Sequence, residues 1–183
     1  GNLAFFSSLG PTADGRDGIH LVAPGFLISS ANSNSPGDCP VFSTAGTSMA
    51  CPMVAGAGAL AREYFSKGYY PTGEEGEGTR HDLTGAGLKA VLIASAVPME
   101  GVFGPNNNRA NIPNSLGGNG IQGYGRVQLN RALFGPDVSG RDPSDRLLLI
   151  DGQPGTKGAI SGTGSEHEYE IETAGTDPLL GTL

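Results

Sequence analysis

Ser48 is the residue of this sequence whose surroundings most clearly suggest chemistry. It follows Gly46 and Thr47, and the run that it opens carries no charged residue until after Ala61. A serine hydroxyl is a poor nucleophile near neutral pH unless a neighbouring base removes its proton. If Thr47 caps a helix, Ser48 lies at the positive helix end, where free backbone N–H groups can stabilise an oxyanion. The pattern fits acyl transfer, but by itself it also fits any capped helix.

The histidines are the next residues to consider, because such a serine needs a base. His20 precedes Ser48 and has Asp14 and Asp17 nearby, so a triad within this chain is one alternative. His81 lies in a polar loop and His167 lies on an acidic strand. We interpret these last two as ordinary surface or half-buried histidines.

Two predicted helices and several predicted strands must position these side chains. The uncharged run from Ser48 to Ala61 is apolar or small on every side of a helical wheel, which predicts a buried helix that ends near Gly68. A second helix is predicted from near Leu83 to just before Pro98. Strands are predicted at 3–8, 19–25, 26–32 and 124–134, with Asn130 capping a last helical turn.

The charge distribution changes near Gly135. Residues 1–134 carry 8 Lys/Arg and 9 Asp/Glu, whereas residues 135–183 carry 3 and 9. This acidic tail argues against a nucleic-acid or anionic-membrane partner, and no apolar run is long enough to span a bilayer. Strands are expected at 146–151 and 166–173, so we place 1–135 and 136–183 in separate domains.

Three further patterns have ordinary explanations beside functional ones. Gly56–Ala61 partly matches a dinucleotide-binding fingerprint, but its glycines fall inside the predicted helix. The alternating glutamates of the tail offer oxygen ligands for calcium, although such alternation usually marks a solvated strand face. Cys39 and Cys51 form one disulfide, pair with other cysteines or stay as free thiols.

The stretch from Gly46 to Gly56 resembles the serine motif of the subtilisin-like peptidases, Gly-Thr-Ser-Met-Ala-x-Pro-x-Val-Ala-Gly. Three more segments resemble family motifs in the family's order. They are Phe-Ser-Ser-x-Gly-Pro at 6–11, Ala-Pro-Gly at 23–25 and Gly-x-Gly-x-Val-x-Leu at 123–129. The resemblance covers about residues 3–134.

This resemblance implies a serine endopeptidase with Ser48 as nucleophile. It also implies that Thr44, Ala45, Gly46 and Thr47 border the substrate. The family's chain order, Asp then His then Ser, places the base and the oxyanion-hole Asn upstream of Gly1. His20 occupies a position where many family members have Asp, which favours a structural polar role. We therefore expect this chain, taken alone, to be inactive.

The implied architecture is the C-terminal portion of a three-layer α/β/α domain followed by the start of a β-sandwich or jelly-roll. The family also implies protein or peptide substrates, no cofactor required for catalysis, structural calcium with no assignable ligands, and an extracellular or secretory location. Two other classes remain open: a catalytically dead scaffold used for binding, and a nucleotide-binding oxidoreductase built on Gly56–Ala61.

Overall fold

The structure is a computed structural model that describes residues 2–32, 40–103, 109–111, 118–133, 147–151, 162–163, 166 and 168–170. Its elements in chain order are β1 (Asn2–Ala4), β2 (Ile28–Ala31), β3 (Val41–Thr44), α1 (Thr47–Ser66), α2 (Gly85–Ala94), β4 (Gly101–Phe103) and β5 (Arg109–Asn111), followed by a 3₁₀ turn at Leu129–Arg131. Both predicted helices are confirmed. The predicted strands at 3–8 and 26–32 are present in shortened form, as β1 and β2. The predicted strand at 19–25 is wrong, because of its residues Val22 alone pairs, through an isolated bridge to Arg126.

The chain divides into two compact units, each built from two segments. The first contains Gly1–Ala57 and Ala96–Val127, and the second contains Gly58–Ser95 and Gln128–Leu183. Helix α1 contributes its first half to the first unit and its second half to the second.

Two small sheets organise the first unit. β1 runs parallel to β4 with Leu3 opposite Val102, and β4 runs antiparallel to β5. β2 and β3 form a separate antiparallel pair. The predicted strand at 3–8 ends at Ala4, because the Ser7 amide turns back to donate to the Ala4 carbonyl at 3.0 Å.

The Gly-Tyr-Gly-Arg-Val segment pairs with its neighbours through isolated bridges, whereas the sequence predicts a strand there. Arg126 bridges to Val22 and to Val97, and it exchanges two backbone hydrogen bonds of 2.8 Å with Val97. Gly125 has φ +113°, and a Cβ there would lie 2.3 Å from the Val97 carbonyl oxygen. Only glycine fits this position without displacing the neighbouring backbone.

Asn130 does not cap the last helical turn, so that prediction is wrong. The residue lies inside the 3₁₀ turn, and the capping position is Gln128, whose side chain makes no capping hydrogen bond. A 3₁₀ turn of three residues has few free N–H groups to satisfy, so a capping side chain contributes little here.

Gln122 is a buried polar residue that ties two loops of the first unit together. Its side chain is 1% exposed. The Met99 amide donates to Gln122 Oε1 at 2.6 Å, and Gln122 Nε2 donates to the Met99 carbonyl at 3.2 Å. Met99 in turn packs with Leu3 in the apolar cluster of this unit. The glutamine therefore satisfies both backbone polar groups of a buried residue.

We expect Gln122→Leu to destabilise the protein, because it leaves the buried Met99 N–H and C=O without partners. An unsatisfied buried group costs about 1–3 kcal/mol. Urea unfolding should show a lower free energy of unfolding for Gln122→Leu than for the wild-type protein. Equal stability of Gln122→Leu and the wild-type protein would contradict this prediction.

The second unit has its own core between the end of α1 and α2. Phe65 is fully buried and stands beside Tyr64, Leu83 and Val91. Burying a side chain such as Phe65 contributes about 1.5–3 kcal/mol. α2 begins after Thr84, whose side chain accepts a hydrogen bond from the Gly87 amide at 3.0 Å, as a threonine N-cap does.

Residues 147–151 pack on this core and adopt no strand, although the sequence predicts one. The Tyr70 hydroxyl donates to the Leu147 carbonyl at 3.0 Å and accepts from the Leu149 amide at 3.3 Å. Leu147 and Leu149 both contact the apolar cluster. Because the Tyr70 hydroxyl forms hydrogen bonds with these backbone groups, they do not need a neighbouring strand as a partner.

Asp151 ends that segment at the N-terminus of α2. Its side chain is 3% exposed, accepts a hydrogen bond from the Thr84 amide at 2.7 Å and lies 3.3 Å from His81 Nε2. The Thr84 hydroxyl is its third donor. Burial alone would raise the pKa of the Asp151 carboxyl, but the bonds from Thr84 and His81 outweigh burial and hold that pKa below its ordinary value.

We expect Asp151→Asn to lower the thermal stability of the protein at pH 7, because an amide cannot accept all three hydrogen bonds. Because the folded pKa is depressed, the carboxylate stabilises the fold above its unfolded pKa of about 3.9 and ceases to do so as pH falls through the folded value. The difference in Tm between wild-type and Asp151→Asn protein should therefore shrink below about pH 4. A difference that stays constant between pH 7 and pH 3 would contradict this assignment.

Candidate active site

Ser48 lies in the first turn of α1, two residues after a sharply defined backbone junction. β3 ends at Thr44 and α1 begins at Thr47. Between them, the Gly46 amide donates to the Gly25 carbonyl at 2.8 Å, and the Gly46 carbonyl accepts from the Met49 amide at 3.1 Å. Both peptide groups that flank the Gly46 Cα are therefore fixed, and Ser48 is exposed beyond them.

The start of the helix gives this serine an electrophilic setting. The amides of Thr47 and Ser48 precede the first turn's hydrogen bonds and have no acceptor within the helix. The helix dipole adds partial positive charge at the same end. A carbonyl oxygen that gains negative charge beside Ser48 would be stabilised by such donors.

The hairpin of β2 and β3 carries the chain into this junction. Thr44 pairs with Ile28, and the hydroxyls of Ser29 and Ser43 lie 2.7 Å apart. Phe42 on β3 is exposed. The four residues predicted to border the substrate, Thr44 to Thr47, are continuous with Ser48 along this path, and of them Ala45 and Thr47 are exposed.

The prediction that α1 is buried all round is wrong. The four residues of α1 that are buried lie in its second half and are Gly58, Ala61, Tyr64 and Phe65. Met53 is 47% exposed and Leu60 is 58% exposed. An apolar composition predicts that a helix is buried, but it does not indicate which other segments cover the helix. The serine assignment therefore depends on the motif and the local geometry, not on an enclosed helix.

A cavity of about 580 Å³ lies in the first unit beside the start of α1. Four α1 residues line it, namely Thr47, Ala50, Cys51 and Val54, which share one helix face by their spacing. Leu3 and His20 line it from the other segments, and Ser48 is not among the lining residues. The cavity therefore flanks the helix on a different face from Ser48.

The structure brings no base to Ser48 among the residues it describes. The Ser48 hydroxyl has no hydrogen-bonding partner within those residues. Asp14, part of the alternative triad with His20, is instead bound by Thr12 and by Arg16, whose Nε donates to it at 2.8 Å. These bonds, the one from Thr12 first, hold the pKa of the exposed Asp14 carboxyl below its ordinary value. The Asp14 carboxylate is therefore already hydrogen-bonded within its own turn.

The other candidate side chains belong to the second unit or fall outside the described residues. His81 is the partner of Asp151 in the second unit. Glu166, Glu168 and Glu170 are exposed, and the described residues contain no group of three or more His, Cys, Asp or Glu side chains placed to hold a metal ion. His167 and Glu172, in the predicted strand of the tail, lie outside the described residues.

Cys51 and the glycine-rich segment Gly56–Ala61 both lie within α1. The Cys51 thiol is free and exposed, and Cys39, its partner in the disulfide alternative, lies outside the described residues. Gly56–Ala61 lies within α1, as the sequence predicts, and does not open a helix after a strand. That placement removes the structural context that a dinucleotide fingerprint requires.

An exposed serine on the first turn of a helix, with parallel strand pairing nearby, is compatible with an α/β hydrolytic enzyme. Comparison with known families identifies the class directly. The model of the subtilase family, peptidase S8, matches residues 1–125, so the chain belongs to that family, which implies an α/β fold.

Three named relatives come from Dictyostelium discoideum, and all are called serine protease/ABC transporter B family proteins. The chain is 36% identical to tagD over 94% of its own length, 36% identical to tagB over 82%, and 28% identical to tagA over 71%. These matches cover 10%, 9% and 7% of the relatives. The chain therefore spans about a tenth of the length of the curated relatives it matches. None of the helices in the described part of the chain is both long and apolar enough to cross a bilayer.

Sequence reasoning missed the contact that fixes the junction before Ser48. The sequence indicates Ala-Pro-Gly at 23–25 as a family segment but predicts no structural role for Gly25. The only signal was the glycine itself, since glycine is the usual residue where two backbones approach closely. The approach of Gly25 to Gly46 spans 21 positions of chain and becomes visible only in the folded unit.

Proposed function

We propose that the chain is part of a serine endopeptidase in which Ser48 is the nucleophile. The carrying observation is the exposed Ser48 at the fixed start of α1 in a chain of the subtilase family. Ser48 Oγ attacks the scissile carbonyl carbon while a base accepts its proton. The backbone N–H of Ser48 holds the resulting oxyanion. The C–N bond then breaks as the base returns the proton to the leaving amine, and water hydrolyses the acyl-enzyme by the same route.

The base and its orienting carboxylate are proposed to come from other parts of the full-length protein. The family's chain order supports an upstream position for both, and the relatives are about ten times longer than the matched region. The chemistry requires no cofactor, and no step is assigned to calcium. Thr44 to Thr47 are proposed to contact the substrate, because they lead directly into the nucleophile.

The proposed architecture is the C-terminal portion of a three-layer α/β/α domain over 1–135 and the start of a β-sandwich over 136–183. The family match over residues 1–125 and the acidic composition of the tail support this division. Leu147 and Leu149 pack on the core of the second unit, so the first described residues after the proposed boundary contact the earlier chain.

We expect Ser48→Ala in the full-length protein to abolish hydrolysis of a denatured protein substrate and labelling by a fluorophosphonate. Loss of the nucleophile typically removes activity by a factor of about 10⁶. Because Ser48 is exposed and its hydroxyl makes no hydrogen bond within the described residues, the Tm should change little. Ser66→Ala, an exposed serine at the far end of α1, serves as the matched control and should keep wild-type activity.

Two outcomes would overturn this assignment. Full activity of Ser48→Ala would exclude Ser48 as nucleophile. A wild-type protein that is well folded but never labelled would favour the dead scaffold. The 183-residue chain alone should remain unlabelled, because no base meets Ser48 among the residues that the structure describes. Stoichiometric labelling of the isolated chain would show that the base lies within these residues.

The full-length protein is proposed to hold this peptidase on the lumenal or extracellular side of a membrane. The relatives' names join a serine protease to an ABC transporter, and subtilases are commonly secreted. We expect the full-length protein to sediment with membranes and to resist carbonate extraction. Recovery of the intact protein in the high-speed supernatant would contradict a membrane-bound arrangement.

A further inference from the structure

We propose that Gly25 is a positioning residue for Ser48, acting through the backbone of Gly46. This inference deepens the proposed peptidase function and rests on it. Its basis is a direct contact between two loops of the first unit. The Gly25 carbonyl accepts the Gly46 amide at 2.8 Å, two residues before the nucleophile.

The contact controls the groups that would hold an oxyanion. The Gly46 carbonyl accepts the Met49 amide at 3.1 Å and so forms part of the first turn of α1. The peptide between Gly46 and Thr47 therefore fixes the direction of the following Thr47 and Ser48 amides. Any displacement of the Gly46 carbonyl reorients those amides and the Ser48 side chain together.

The approach leaves no room for a side chain at position 25. A Cβ there would lie 2.7 Å from the Gly46 carbonyl oxygen, 3.2 Å from Ala50 Cβ and 3.5 Å from the Ala50 amide nitrogen. A real Cβ never comes that close to a backbone oxygen, so the Gly46 carbonyl or the whole loop must shift. The side chain at Ala50 has to give by only a few tenths of an ångström.

The loop that carries Gly25 is itself held in place. Phe26 stacks on Phe6, the ring centroids being 6.4 Å apart and the planes 24° from parallel. Leu27 follows with φ +54°, a left-handed conformation that is unfavourable for a branched residue and persists only where surrounding structure fixes it. Because this loop is constrained, it cannot easily move away from a methyl group added at position 25. We therefore expect the Gly46 carbonyl to be displaced instead.

The test is Gly25→Ala in the full-length protein, assayed as kcat per site titrated with a fluorophosphonate. A misplacement of about 1 Å can cost about 100-fold in rate, so we expect kcat to fall about 10- to 100-fold while KM stays within about twofold. Titration removes any unfolded fraction from the comparison. A merely structural role would lower the number of titrated sites and leave kcat per site unchanged, which would overturn the proposal.

Two further variants separate the junction from general packing. Gly56→Ala places the same methyl on α1 where no described residue lies within 4 Å, and it should keep wild-type kcat. The double variant Gly25→Ala/Ala50→Gly removes the 3.2 Å contact with the helix but keeps the clash with Gly46, so it should stay slow. Recovery of kcat in the double variant would assign the effect to helix packing and would overturn the role of Gly46.

Phe26→Leu provides a second route if Gly25→Ala folds poorly. Phe26→Leu weakens the stacking that holds the loop, and the Phe26 side chain is 56% exposed. We expect this variant to lower kcat per titrated site, but by less than Gly25→Ala does. Unchanged kcat would overturn the proposal. If the wild-type protein itself is never labelled, the proposed peptidase fails and the positioning role falls with it. An active wild type with a fully active Gly25→Ala variant defeats the positioning role alone.

Discussion

The hydrogen bond from the Gly46 amide to the Gly25 carbonyl is the constraint on which the candidate site depends. It fixes the last residue before α1, and the first turn of α1 then sets the directions of the Thr47 and Ser48 amides. A serine on a helix start that could rotate freely would present its hydroxyl and its amide independently. Acyl transfer needs both groups aimed at one carbonyl, because attack and oxyanion stabilisation occur at the same carbon.

The two halves of α1 have different physical tasks. The second half is an ordinary core helix, with Phe65 and Ala61 fully buried in the second unit. The first half exposes Met53 and several small residues, and one of its faces borders a cavity. A composition that is apolar all round can serve both tasks, since small side chains permit close packing and also leave the N-terminal amides accessible.

Buried polar groups hold the loops of each unit, since the described residues of neither unit form a large sheet. Gln122 satisfies both backbone groups of Met99 in the first unit. Asp151 satisfies the Thr84 amide and hydroxyl in the second unit. In both cases one side chain replaces the strand partner that a buried backbone group would otherwise need. The charged group makes the second case sensitive to acid, whereas the amide of Gln122 does not titrate.

The sequence by itself determined the two helices and the family, because these depend on local periodicity and on a contiguous motif around Ser48, the proposed nucleophile. It also placed Gly56–Ala61 inside a helix. Only the tertiary structure decided how much of α1 is covered, that Asp14 is committed to Thr12 and Arg16, that Cys51 is free, and that Gly25 meets Gly46. The physical reason is distance along the chain. Periodicity and capping act over a few residues, whereas burial and backbone contact join segments tens of residues apart, and no local pattern encodes which segments will meet.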